Sequence, residues 1–350
     1  MSTIFGCIEN LGYNDLLKHR DTIYHYINQS IDFSREVSVA VKLNLVGPFL
    51  PEKAATTHPE VLNLLLDVLS QLDCSIKVCE DILNNDSITK TQIKPILDKY
   101  GLEFYNLRNY GYENININGI TYEYSSLILE SDFVVQIPKF KNHLLTNFTG
   151  AIKNMYGCIS YKQRKEFHRE IVMDKFAKIL CEVYSIRKPD FVIMDAITAM
   201  DGFGPSVGNP IKLGCLIFGE DSVYIDEFIT NLVGYDPEEL SVIKTAIDMK
   251  LYKNKFSKTE NKIHFERNFE LLPVFHRLEH KRYFDILRSN YFINYDRCVG
   301  CGICEKKCPF NAVIIENGAP IFSKKKCTLC TCCMEHCPEA AINIETNKSN

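Results

Sequence analysis

The sequence predicts an α/β body built on a mostly parallel sheet with helices on both faces, followed by a small C-terminal α+β domain. Three observations carry that expectation. Apolar runs alternate with amphipathic segments from Glu36 to about Asp248. Eight of the fifteen cysteines fall in two identical spacings between Cys298 and Cys337. At 350 residues the chain is long for one domain and comfortable for two.

Taken in order, Val37-Ser-Val-Ala-Val41 reads as a buried strand, and His58–Leu72 as a helix. Pro59 sits in that helix's first turn, with Val61, Leu64, Leu65, Val68 and Leu69 on one face. Ser75–Cys79 is a second strand, and Ser87–Tyr100 a second helix ended by Gly101. Asn118-Gly119 between short β-prone pieces marks an inserted hairpin over Asn116–Tyr124. Further strands are expected at Phe133–Ile137, Phe191–Met194 and Leu213–Phe218. Helices are expected at Glu166–Tyr184, Ser222–Val233 and Glu238–Met249. Strands alternating with helices imply βαβ units and a sheet covered on both faces. The α/β body is thus placed at residues 1–251, a charged and partly helical connector at 252–291, and a cysteine-rich domain at 292–350.

Composition narrows the function classes. Hydrophobic residues make up 46% and charged residues 24%, enough to bury an ordinary core. The net charge of −4 argues against a nucleic-acid footprint, which needs a basic excess. No apolar run approaches the roughly 20 residues of a membrane span. Met1–Leu11 has neither the basic nor the apolar region of a signal peptide. The expected location is cytoplasmic, where clustered cysteines read as metal ligands rather than disulfides.

The cysteine runs are Cys298-x2-Cys301-x2-Cys304-x3-Cys308-Pro309 and Cys327-x2-Cys330-x2-Cys333-x3-Cys337-Pro338. Three thiolates two residues apart wrap one face of a cuboidal iron–sulfur cluster, and the fourth ligates the other cluster. This assigns Cys298, Cys301, Cys304 and Cys337 to one [4Fe–4S] cluster, and Cys327, Cys330, Cys333 and Cys308 to a second. Zinc sites instead pair two C-x2-C knuckles. Asn317-Gly318 between Val313–Glu316 and Ala319–Phe322 predicts a hairpin. Cys332 breaks the spacing and reads as a packed or surface thiol, and Cys158 and Cys181 as core residues. The whole module resembles the two-[4Fe–4S] ferredoxins, an α+β ferredoxin-like fold. Lys306, Lys307 and Lys324–Lys326 make it less acidic than many free ferredoxins, which suits either a surface that receives an acidic electron donor or a plain solvated face.

In the larger domain no P-loop occurs, and Gly202-Phe-Gly204-Pro-Ser-Val-Gly208 is not a dinucleotide fingerprint. A polar block follows the Phe133–Ile137 strand: Lys139, Lys141, His143, Thr146, Thr149, Lys153 and Asn154. Ligands of open parallel sheets bind beyond the strands' carboxyl ends, so the block suits an anion such as a phosphate or carboxylate. Lys42 and Asn44 follow the first strand in the same way, and Asp195 ends the Phe191–Met194 strand. The alternative is a solvated loop and helix start. His168 alone reads as a capping or surface histidine.

Lys42-x-Asn44, the Lys139–Asn154 block, and Asp195 with Met200-Asp-Gly-x-Gly-Pro205 resemble the DUF362 family over roughly Val37 to Asp248. Members with a C-terminal double-cluster module occur mostly in anaerobic bacteria and archaea. The resemblance implies the architecture and names no reaction. The expectation is a ferredoxin-coupled oxidoreductase that exchanges electrons with a soluble donor or acceptor. Lys139, Lys141, His143, Lys153 and Asp195 would be catalytic; Lys42, Asn44, Thr146, Thr149 and Asn154 would bind an anionic substrate. The alternatives are an electron-transfer adaptor for a partner enzyme, and a non-redox transferase or ligand-binding protein with structural or sensing clusters. The sequence identifies no substrate, flavin or oligomeric state.

Overall fold

A computed structural model describes residues 4–83, 86–143, 145–170, 172–202, 204–253, 255–256, 291–328 and 330–344. Its centre is a nine-stranded sheet. The strands are β1 (Phe5–Ile8), β2 (Val37–Lys42), β3 (Cys74–Glu80) and β4 (Phe104–Asn106). A separate hairpin, β5 (Tyr112–Ile117) and β6 (Ile120–Ser125), turns at Asn118 and Gly119, both at positive φ as a type I′ turn requires. The sheet continues with β7 (Phe133–Gln136), β8 (Lys139–His143), β9 (Asn147–Thr149), β10 (Phe191–Asp201) and β11 (Asn209–Gly219).

The spatial order is β1-β11-β10-β7-β2-β3-β4, with β8 and β9 attached to β10. From β10 to β4 every neighbour is parallel, while β11 and β1 close one edge antiparallel. The α/β expectation therefore holds, with an antiparallel edge. The chain steps outward from β2 to β3 and β4, then returns to place β7 on β2's other side. The carboxyl ends of β2 and β7 thus form a topological switch point, where open sheets of this kind take ligands.

Strand alternation explains the two helical layers. Val37, Val39 and Val41 point into one core with the Pro59–Leu69 helix, while Ala40 and Val134 point into the other with the Met173–Ile186 helix. Burying apolar surface on both faces at about 25 cal/mol per Å² is the main force holding the sheet.

Four expectations need correction. Ser87–Tyr100 is two short helices, Asp86–Lys90 and Ile93–Lys99, with Gln92 at φ 59° between them. Pro95 is the cause: in a continuous helix its ring would meet the carbonyl of Thr91 and no N–H would be available. Glu166–Tyr184 likewise divides into Tyr161–Phe167 and Met173–Ile186. Asp195 does not end its strand, because β-prone Ala196–Met200 continues β10 against β11 to Asp201. The N-terminal strand β1 and the Arg20–Ser30 helix, which pack on the β11 edge and beside the Pro59–Leu69 helix, were not foreseen.

In the C-terminal domain β12 (Tyr291–Ile293) pairs with β15 (Ile342–Ile344), and β13 (Val313–Glu316) with β14 (Ala319–Phe322) through the expected Asn317-Gly318 turn. The connector expected at 252–291 falls, from 257 to 290, outside the described residues.

Candidate functional site

The cysteine domain repeats itself about a pseudo-twofold. Gly302 and Thr331, at equivalent places in the two runs, both take positive φ, and so do Asn311 and Ala340. Ala312 N–H donates to Cys308 Sγ at 3.1 Å, and Ala341 N–H to Cys337 Sγ at 3.3 Å. Cys298, Cys301, Cys304 and Cys337 line one small cavity, and Cys308, Cys327, Cys330 and Cys333 line another. The cysteines that share each cavity are the ones the spacing groups together. Among the described residues no three His, Cys, Asp or Glu groups gather closely enough for a single metal ion. Four cysteines in each set, with no tight three-ligand group among the described residues, fit a polynuclear cluster better than a mononuclear zinc site.

The two domains meet around a cavity of about 310 Å³. Ser206 Oγ donates to the Met334 carbonyl at 2.9 Å, Arg169 Nε to Pro309 O at 3.0 Å, and Lys165 Nζ to Lys306 O at 3.1 Å. The glycine-rich segment has its role here. A Cβ on Gly204 would lie 1.8 Å from the Asn142 carbonyl oxygen, so glycine lets this loop cross β8 and present Pro205 and Ser206 to the cysteine domain.

The cavity opens at the switch point. After β2 come Lys42 and Asn44, after β3 Glu80 and Asp81, and from the β8–β9 hairpin His143 and Thr149. Lys153 and Asn154 follow on the next short helix, and Cys301, Lys307, Cys332 and Glu335 close the far wall. Some of these groups are spoken for. Lys42 Nζ donates to Glu80 Oε2 at 2.9 Å and to the Leu43 carbonyl at 2.9 Å. Asp81 accepts from Arg108 Nε at 3.0 Å and from Arg164. Gly157 packs over the Lys42–Glu80 pair, where a Cβ would come to 3.0 Å from both head groups.

Others have unused capacity. Asn44 Nδ2 donates to Asn154 Oδ1 at 2.9 Å, but Asn44 Oδ1 has no partner. Thr149 Oγ1 and Arg164 Nε are likewise buried and unpartnered. His143 Nδ1 accepts from the backbone N–H of Leu145 at 3.1 Å and of Thr146 at 3.3 Å. The ring proton therefore sits on Nε2, which faces Glu335 Oε1 at 3.1 Å but off the hydrogen-bond line. Burial, and next the Lys153 ammonium, push the His143 pKa down to about 4, so the imidazole is neutral at pH 7. Lys153 lines the cavity with no hydrogen bond or ion pair among the described residues, and burial holds its pKa below the ordinary lysine value. Buried polar groups are normally satisfied, so three orphans and a cation without a partner among the described residues make this cavity the candidate ligand site.

The remaining candidates are elsewhere. Lys139 Nζ donates to Asp195 Oδ2 at 2.8 Å and to Tyr13 OH at 2.9 Å, both side chains being fully buried. Asp195 also accepts from Tyr13 OH at 3.0 Å and from His58 N–H at 3.1 Å, while the Tyr13 and His58 rings stack at 3.4 Å. Neither residue lines the cavity. Lys141 Nζ bonds the Ala55 carbonyl, and Thr146 Oγ1 the Phe148 carbonyl at 3.0 Å; these too lie outside it. The structure thus gathers Lys42, Asn44, His143, Thr149, Lys153 and Asn154, and separates Lys139, Lys141, Thr146 and Asp195 from them.

Sequence reasoning missed Glu80, Asp81, Arg164, Glu335 and Cys332. Glu80-Asp81 was legible, since it follows the second strand as Lys42 follows the first. His168 lines the cavity while its Nδ1 donates to the Arg164 carbonyl at 2.7 Å, so the capping role is real but not the whole. Cys332 is buried on the cavity wall at the place equivalent to Ile303. Cys158 and Cys181 are core residues, as expected.

Among the described residues no helix is long and apolar enough to cross a membrane. Residues 291–314 match the 4Fe-4S binding domain. The thylakoid-associated protein sll1697 of Synechocystis sp. is 33% identical over 111 residues, 31% of this chain and 35% of that protein. Two solved structures are similar at low identity. Lactate racemase apoprotein from Thermoanaerobacterium thermosaccharolyticum has a TM-score of 0.41 and 12% identity, over 59% of this chain and 52% of that one. A structural-genomics target from Thermotoga maritima has a TM-score of 0.38 and 14% identity, over 61% and 57%. The chain therefore spans about a third of the curated relative and just over half of each solved structure. Residues 39–231 match the family described as Domain of unknown function (DUF362), more than half of the chain. The chain belongs to the DUF362 family and carries a C-terminal 4Fe-4S binding domain.

Proposed function

We propose that the chain is an iron–sulfur oxidoreductase that holds two [4Fe–4S] clusters and acts on a small anionic molecule in the interface cavity. One observation carries the reading: the cavity that collects the unpartnered polar groups of the α/β domain is also lined by Cys301, a ligand of the first cysteine set. When bound, the clusters supply single electrons beside that wall. Lys153 attracts the anion and offsets the negative charge that each added electron builds on it. Asn44 and Thr149 fix its orientation by hydrogen bonds, and the Nε2–H of neutral His143 is placed to donate a hydrogen bond to it. Glu335 Oε1 lies 3.1 Å from that nitrogen and holds the ring in this orientation. A bare electron-transfer adaptor has no use for such a cavity, and a non-redox transferase has no use for a cluster ligand in its wall.

The test is an iron and sulfide count on protein purified without oxygen, with its EPR spectrum after dithionite reduction. About eight irons and eight sulfides per chain, with two interacting signals, are expected. Zinc, or about four irons, would remove the two-cluster reading.

A further inference from the structure

The two halves of the cysteine domain are alike in backbone and unlike in surroundings. Cys301 of the first set lines the interface cavity; none of Cys308, Cys327, Cys330 and Cys333 of the second set does. The β13–β14 hairpin lies against both sets, with Ile315 and Pro320 lining the small cavity of the first. Val313 and Phe322 from that hairpin's inner face line the second small cavity. On its outer face Ile314 and Ile321 are direct cross-strand partners, 45% and 46% exposed. The strand then runs into Lys324, Lys325 and Lys326, all exposed and immediately before Cys327. At the equivalent place before Cys298 stand Tyr295, Asp296 and Arg297, which carry no net charge. Only the second half therefore has an apolar pair flanked by a three-lysine run, in a chain whose net charge is −4.

We infer that this face is the docking surface for a small acidic electron-carrier protein, so that electrons are exchanged with the carrier at the second cysteine set and with substrate at the first. The inference rests on the proposed two-cluster reading for its direction, though the docking itself does not depend on the cavity. Charge complementarity selects the occupant. Three adjacent ammonium groups beside an exposed isoleucine pair match a carrier with a carboxylate-rich rim around an apolar centre. A second copy of this chain, itself acidic overall, offers no comparable match. The exchange balances simply: one electron leaves the reduced carrier and is taken up by the second set's cluster, with no bond made or broken and no proton moved.

The experiment measures binding of the anaerobically purified full chain to an acidic bacterial ferredoxin between low and physiological salt. The triple variant Lys324→Glu, Lys325→Glu, Lys326→Glu is compared with a charge-matched control on the α/β domain, Lys94→Glu, Lys175→Glu, Lys244→Glu. Iron and sulfide content reports whether each variant has folded. We expect binding at low salt that weakens as salt rises, as screening requires. The lysine-run variant should bind about tenfold or more weakly with a flattened salt dependence, and the control should bind as the wild type does. Dithionite should reduce all three proteins to the same extent. Equal binding by wild type and triple variant, an equal loss in the control, or concentration-dependent self-association of the wild type through these lysines would each overturn the inference. Loss of anion binding in the cavity with docking intact would count against the proposed function alone.

Discussion

Two buried polar clusters in the α/β domain use the same residue types and reach opposite outcomes. Around Lys139, every group is answered: the ammonium meets Asp195 and Tyr13, and the carboxylate takes hydrogen bonds from Tyr13 and the His58 backbone. Around Lys153, the cation itself, a threonine hydroxyl and an amide oxygen line a shared space and have no protein partner among the described residues. The difference teaches that a lysine after a strand marks a polar position, whereas unmet hydrogen-bonding capacity marks a site. The first cluster ties the N-terminal segment to the sheet; the second has hydrogen-bonding capacity left over, which the proposed function assigns to a ligand.

Substitution should separate the two. The largest effect is expected for Asp195→Ala, which strands the Lys139 charge in the interior. Breaking such a pair costs about 3–5 kcal/mol, to be read as a drop in the urea midpoint at unchanged m-value. A loss under 1 kcal/mol would break the comparison. Lys153→Ala should do the reverse, leaving stability within about 1 kcal/mol while weakening phosphate or small dicarboxylate binding about tenfold or more by calorimetry.

The pH dependence sharpens the contrast. Lys153 holds the anion only when protonated, and burial lowers its pKa from 10.5. Binding should therefore be complete below that lowered value and be lost as pH rises through it, earlier than for an ordinary lysine. Lys153→Arg should carry binding to higher pH, because a guanidinium does not titrate there. An unchanged profile would take Lys153 out of the site. The smallest effect is expected for Thr149→Val. Removing an unsatisfied buried hydroxyl should stabilise the free protein by up to about 1 kcal/mol and weaken the anion a few-fold. A destabilised variant would mean the hydroxyl is already satisfied.

Legibility in the sequence followed the range of the interactions. The two cysteine sets were readable because ligand spacing along the chain fixes which thiols share a cluster-sized cavity, and Asn118-Gly119 and Asn317-Gly318 were readable because turns are local. The parallel sheet followed from its apolar strands. The breaks at Pro95 and after Phe167 were local too, and the first was overlooked by reading periodicity past a proline. The site was half legible. Lys42, Asn44, His143, Thr149, Lys153 and Asn154 lie where the strand-end rule puts them. Lys139 follows β7 as the rule asks and Asp195 lies within β10, but both are claimed by Tyr13, more than a hundred residues away in sequence from either, which no local pattern announces. Glu335 and Cys332 join the site only because Ser206 and Arg169 seat the cysteine domain against the sheet's carboxyl edge.

The central claim is that the cavity beside Cys301 binds a small anion next to one of two clusters. It is tested most directly by EPR of the dithionite-reduced protein, titrated with small carboxylates and phosphates, in the wild type and in Lys153→Ala. The account predicts that at least one such anion perturbs the signal of a single cluster, the one held by Cys298, Cys301, Cys304 and Cys337, and that Lys153→Ala removes the effect. Spectra indifferent to every anion, or a perturbation that survives in Lys153→Ala, would contradict it.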